Sequence, residues 1–93
     1  MIRIIEFSGE NCGPCHMQEQ ILNDVSKDKN LKIPFVFTKI NVDNNKELKD
    51  LYQIIKVPTL IFLRDYDIVY KQEGLMMKTN LINKIKSLDI IHE

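Results

Sequence analysis

Apolar and polar positions change their period several times along this chain, and the changes mark out its elements. Ile2 through Phe7 is dominated by β-branched and aromatic residues with little polar alternation, which predicts a strand covered on both faces, with Glu6 as the exception. Ser8, Gly9, Glu10 and Asn11 read as a turn. From about Cys12 to Ser26, Met17, Ile21, Leu22 and Val25 give a helical apolar stripe, and Pro14 is accommodated in the first turn because the missing N–H would have no partner there anyway. The segment Lys27 to Asn30 ends that helix in solvent. After Pro34, Phe35 to Val42 predicts a second strand. Asp43 or Asn44 then caps a short helix, Lys46 to Tyr52, whose apolar positions are Leu48, Leu51 and Tyr52. Leu60 to Leu63 is a third strand, with Pro58, which cannot donate to a ladder, at its start. A tight turn at Asp65, Tyr66 and Asp67 joins it to Ile68–Val69–Tyr70–Lys71, so this pair is an antiparallel hairpin. Past Gly74, Leu81, Ile82, Ile85 and Leu88 mark a final helix over Thr79 to Leu88, with a frayed tail near His92.

The order βαβαββα predicts an α/β fold: a four-stranded mixed sheet with helices on both faces, the first two strands parallel and the hairpin strand at the edge. Ninety-three residues suffice for one two-layer core, so the expectation is a single domain over 1–93. With 13 basic and 13 acidic residues the formal net charge is zero, which argues against nucleic acid as a partner, since backbone binding needs a surplus of Lys and Arg. No apolar run is long enough to span a bilayer, and the opening Met-Ile-Arg-Ile-Ile-Glu has no basic region before a long apolar stretch. Two cysteines do not make a disulfide-stapled secreted fold. The expected setting is the reducing cytosol, with no membrane partner and a monomeric state. Tyr52, Tyr66 and Tyr70 are expected as partly buried packing residues.

Chemistry concentrates at Cys12-Gly13-Pro14-Cys15, which holds both cysteines of the chain at a strand-to-helix junction, a spacing at which two thiols can close on each other. With His16 the motif also reads C-x-x-C-H, the haem c signature, but that needs a second ligand such as Met76 or Met77 and an export route. Two cysteines and one histidine leave a tetrahedral zinc incomplete, so neither metal nor separate cofactor is expected.

Cys12-Gly13-Pro14-Cys15 after a strand, Val57-Pro58-Thr59 before another, Gly74 after a hairpin and a terminal helix together resemble the thioredoxin family, across essentially the whole chain. The resemblance implies a thioredoxin-like fold and dithiol–disulfide exchange, with Cys12 as the exposed nucleophile and Cys15 as the resolving thiol. It implies a cis Pro58 facing the cysteines, a buried acid at Glu6 where thioredoxins usually carry Asp, and a lysine near that acid at Lys39. It also implies a substrate surface around Gly13, Pro14, Val57, Pro58, Thr59 and Gly74. This chain departs from the pattern in lacking an additional first strand and helix, in carrying Asn11 where the family has a tryptophan, and in carrying Ser8 where an aromatic often stands. The lost aromatics bear on the choice of partner.

The residues suit that chemistry. A helix's first turn, with its unpaired N–H groups, favours a thiolate at Cys12. Gly13 lets another backbone approach, and Pro14 stiffens the turn. If Glu6 lies inside, burial pushes its pKa up while Lys39 pulls it down, and a carboxylate near Cys15 can take its proton. In the alternative, Glu6 simply pairs with Lys39 or faces solvent. The resulting expectation is a reductant of protein disulfides recharged by a thioredoxin-reductase-like enzyme. The rivals are a glutaredoxin-like protein recharged by glutathione and a noncatalytic binding module of the same fold. The Gly-Pro pair between the cysteines resembles the reducing type.

Overall fold

The computed structural model describes residues 1–89, so the tail near His92 lies outside the described residues. The elements run β1 (Ile2–Ser8), α1 (Gly13–Ser26), β2 (Phe35–Asn41), a 3-10 turn (Val42–Asn44), α2 (Lys46–Leu51), β3 (Thr59–Arg64), β4 (Asp67–Glu73) and α3 (Lys78–Leu88). The sheet order is β2-β1-β3-β4, with β1 parallel to β2 and antiparallel to β3, and β3 antiparallel to β4. This is the βαβαββα mixed sheet that the pattern predicts.

Parity along the strands sorts side chains into two layers. Ile2 and Ile4 of β1 and Leu60 and Phe62 of β3 face α1 and α3, where they pack with Leu22, Val25, Leu81 and Ile85. Phe7 and Ile61 face the other way and pack with Val42 and Ile54, joined by the half-buried Leu48 and Tyr52 of the α2 region. The six-residue α2 covers only part of this second face. Around Arg3, Ile5, Val36 and Leu63 the face is an open groove. Strand β1 is therefore covered on both faces only toward its C-terminal end, and Arg3 is exposed.

Several positions differ from the periodic reading. Met17 is 47% exposed, and its place in the α1 stripe is taken by Gln18, buried completely between Cys15 and Leu22. A polar side chain is tolerated there because both ends of its amide are paired: Nε2 donates to the Met76 carbonyl at 3.1 Å, and Oε1 accepts from the Met76 N–H at 2.7 Å. Leu51 is exposed because it lies at the end of so short a helix, and Tyr66 is exposed because it forms, with Asp65, a two-residue hairpin loop. Asp65 adopts a positive φ of 57°, which its short polar side chain tolerates. The α2 cap falls on Asn45, without a side-chain bond, while Asn41 instead caps the 3-10 turn by accepting from the Asp43 N–H at 2.8 Å. Strand β4 begins at Asp67 and continues to Glu73, longer than the apolar run alone implies.

Leu22 has no exposed surface whereas Leu51 is 72% exposed. Leu22→Ala is accordingly expected to lower the unfolding free energy by about 2–5 kcal/mol. Leu51→Ala should change it by less than about 0.5 kcal/mol. Urea titration of both variants checks the pair, and a Leu51 effect as large as that of Leu22 contradicts the assigned layers.

Candidate active site

Strand β1 runs out at Ser8, and the chain reverses through Gly9, Glu10 and Asn11 before α1 begins. Two local features make that reversal. Asn11 takes a positive φ of 52°, a conformation open to asparagine and strained for most other residues. Gly9 lies so close to the loop before β3 that a Cβ there would meet Val57 Cγ2 at 3.3 Å. The turn is pinned from the 3-10 segment, where Asp43 Oδ2 accepts from the Glu10 N–H at 2.8 Å. Asn41 Nδ2 adds a bond to Glu10 Oε1 at 3.3 Å. The close approach at Gly9 is a feature that turn composition alone does not reveal.

Cys12 is the N-cap residue of α1, and its sulfur is bonded to that of Cys15, with the two Cα atoms 5.2 Å apart. The Cys15 N–H donates to Cys12 Sγ at 3.2 Å, so one of the helix's free donors already points at that sulfur. The two sulfurs differ in access. Cys15 is 3% exposed, whereas Cys12 is half-buried and followed by the exposed Gly13 and Pro14. Nothing lies within 4 Å of a Cβ built at Gly13, so the surface beside the disulfide is open.

The Val57–Pro58 peptide bond is cis, as the family pattern implies. Gly74, at φ 87°, donates its N–H to the Pro58 carbonyl at 2.8 Å, tying the end of β4 to this loop. Lys56 Nζ lies 3.9 Å from a Cβ built at Gly74. Thr59 faces inward and has no exposed surface, its hydroxyl donating to the Lys56 carbonyl at 2.7 Å, so it shapes the loop from beneath. Pro58 is buried and Val57 half-buried. The contact between Gly9 and Val57 thus brings the Val57–Pro58 loop, with Gly74 bonded to it from the end of β4, against the turn that leads into Cys12.

Glu6 has no exposed surface and lies in the layer beneath α1, and neither of its carboxylate oxygens has a hydrogen-bond partner among the described residues. Its pKa is pushed up to about 7, first by burial, then by the negative charge of Glu19, with Lys39 pulling in the opposite direction. Lys39 is the register partner of Glu6 on β2, but its ammonium bonds Glu19 Oε1 at 3.2 Å and leaves Glu6 unpaired. The alternative in which Glu6 pairs with Lys39 or faces solvent is therefore not what the fold adopts. Glu19 is a site-region residue that the helical pattern gives no reason to select. Met76, raised as a haem ligand, is packed in the core with Leu81 and Ile85.

The comparisons with known proteins converge on one family. The thioredoxin family model matches residues 1–87. A thioredoxin of Chlamydia pneumoniae is 38% identical over 85 residues, covering 87% of this chain and 79% of its own length. A thioredoxin of Bacillus subtilis strain 168 is 32% identical over 84 residues, with the same coverage of 87% and 79%. A mutant thioredoxin from Halobacterium salinarum NRC-1 superimposes with a TM-score of 0.85 at 27% identity, over 99% of this chain and 78% of that one. A malarial protein of 20% identity superimposes with a TM-score of 0.84 over 97% of this chain and 99% of that one, a likeness of fold. With its two cysteines joined at the start of α1 in this fold, the chain belongs to the thioredoxin family and is an oxidoreductase of the dithiol–disulfide exchange type.

Proposed function

We propose that this protein reduces disulfides in other proteins, with Cys12 as the attacking sulfur, Cys15 as the resolving sulfur and Glu6 as the proton carrier. The observation that carries the reading is the unequal access of the two bonded sulfurs: Cys12 reaches solvent at the N-terminus of α1, and Cys15 is buried one turn further on. Reduced, Cys12 as thiolate attacks one sulfur of a substrate disulfide, whose other sulfur leaves as thiolate and takes up a proton. The mixed disulfide then brings its bond within reach of Cys15. The Cys15 thiol gives its proton to the Glu6 carboxylate and its sulfur attacks Cys12 Sγ, which expels the second substrate sulfur as a thiolate that then takes up a proton. Two electrons pass from the dithiol to the substrate, and the Cys12–Cys15 disulfide is left behind.

A carboxyl whose pKa is near 7 suits this duty, since at neutral pH it is ionised often enough to accept a proton and basic enough to hold it. The open surface beside Gly13 and the loop backbone at Val57, just before β3, suit a substrate chain that docks through main-chain hydrogen bonds, a mode tolerant of sequence. The chain carries its electrons in its own dithiol, so a thioredoxin-reductase-like enzyme is the expected source of recharge, in a cytoplasmic setting. No helix among the described residues is long and apolar enough to cross a membrane.

Turnover of a protein disulfide with dithiothreitol as electron source tests the roles of the sulfurs. Cys12→Ser is expected to fall to the rate of dithiothreitol alone, and Cys15→Ser to accumulate a mixed disulfide with the substrate, visible by mass spectrometry. A mixed disulfide formed through Cys15 in Cys12→Ser, with none in Cys15→Ser, reverses the assignment.

Glu6 also links stability to pH. Its folded pKa of about 7 lies above the ordinary 4.5, so between those values the unfolded chain has released a proton that the folded one retains. Stability therefore falls as pH rises through that window, and above it the oxidised protein bears a penalty of about 3 kcal/mol. Glu6→Gln removes the penalty, so its stability relative to wild type should rise by about that amount between pH 4 and pH 8. Denaturant titrations at the two pH values measure the difference, and a constant offset contradicts a buried, titrating Glu6.

A further inference from the structure

We propose that Glu19 is a positioning residue of the exchange site, holding the Lys39 ammonium at the flank of α1 and away from the buried Glu6 carboxyl. The inference rests on the reading of Glu6 as proton carrier for its consequence in the reaction, but not for the geometry itself.

Register places Lys39 opposite Glu6 on adjacent parallel strands, and strand parity puts it on the same face as Phe35 and Phe37, the face covered by α1. An ammonium so placed has a buried carboxyl as its nearest counterpart across the strand pair. It bonds Glu19 at 3.2 Å instead, and both Glu6 oxygens are left without partners. The physical reason is hydration. The Lys39 and Glu19 side chains are 45% and 35% exposed, so their pairing leaves both charges partly in water. Pairing with Glu6 would draw the ammonium beneath α1 and require an ionised carboxylate in an apolar layer, where desolvation of both partners is costly.

The groups around Glu6 leave Glu19 and Lys39 as the local control. From α1 comes Glu19; the Gln18 amide in the same stretch is spent on Met76. From β2 comes Lys39, and the register partner on β3 is Leu60. The residues of α3 in this layer, Leu81 and Ile85 with the half-buried Ile82 and Leu88, carry no ionisable group. Glu19 thus acts on Glu6 twice, through its own negative charge and by holding Lys39, the cation that lowers the Glu6 pKa. Both effects favour the protonated carboxyl and so push the Glu6 pKa upward, as burial also does. Opening the Lys39–Glu19 pair would release the ammonium toward Glu6, so the proton affinity of the carrier is set from the protein surface.

The experiment is a titration of the Glu6 side-chain carboxyl by carbon NMR in the oxidised protein, in wild type, Glu19→Gln, Lys39→Met and the double variant. All changed side chains are partly exposed, so the fold should survive each change. Glu19→Gln is expected to lower the Glu6 midpoint by about one pH unit or more, because it removes a like charge and frees an opposite one. Lys39→Met should raise the midpoint, and Glu19→Gln should have a clearly smaller effect when Lys39 is absent. An unmoved midpoint in Glu19→Gln, or the same shift with and without Lys39, overturns the proposal. The pH profile of mixed-disulfide resolution, measured on the same variants, should move with the NMR midpoint. A midpoint that moves while the rate profile stays in place upholds the positioning by Glu19 and removes Glu6 from the proton transfer.

Discussion

Burial of β1 as a central strand is the constraint on which the rest depends. It pairs along its length with β2 on one side, from Ile2 opposite Phe35 to Ser8 opposite Asn41, and with β3 on the other, from Ile2 opposite Arg64 to Phe7 opposite Thr59. A slip of one residue would exchange its faces, turning Ile2 and Ile4 away from α1 and α3 and Phe7 away from Val42 and Ile54. Glu6 shares the parity of Ile2 and Ile4, so the apolar residues that hold the register also hold an acid inside. Its burial is a consequence of its neighbours' packing, and its raised proton affinity follows from that burial.

The same strand decides where the redox pair meets its surroundings. Since α1 must return over the sheet after β1 ends, its N-terminus stands at the C-terminal edge of β1, and Cys12 stands there with it. Antiparallel pairing of β1 with β3 puts the start of β3 at that edge, which brings the Val57–Pro58 loop to the same place. Gly9 permits the two loops to touch, and the Gly74 N–H extends the contact to the end of β4. Residues far apart in the chain converge because three strand ends and one helix start share one rim.

Two buried polar side chains in one layer show how differently the fold treats them. Gln18 is neutral and has both of its amide functions paired with the Met76 backbone, which joins α1 to the segment before α3. Glu6 has no hydrogen-bond partner among the described residues, and the cation opposite it in register is held by Glu19. A satisfied amide contributes to stability, whereas an unsatisfied carboxyl lowers its cost by keeping its proton. The first is a structural tie, and the second is a buried acid whose charge state is set by its surroundings.

Local chemistry determined much of this protein from the sequence alone. The order of strands and helices is written in β-branched runs and helical spacing, the redox pair in Cys12-Gly13-Pro14-Cys15, and the unusual position of Glu6 in its apolar strand. What the sequence could not decide depended on groups brought together from distant positions. Gln18 is polar and so drops out of the apolar stripe although it has the stripe's spacing, and only a backbone 58 positions away pairs its amide well enough to keep it in the core. Lys39 reads only as a lysine near Glu6, and the approach of α1 to β2 offers it Glu19 in a wetter place. Leu51 and Tyr66 read as packing residues until the shortness of α2 and the two-residue hairpin loop leave them outside. Periodicity reports which face of an element is apolar. Which polar group finds a partner, and which charge stays hydrated, is settled only when the elements meet.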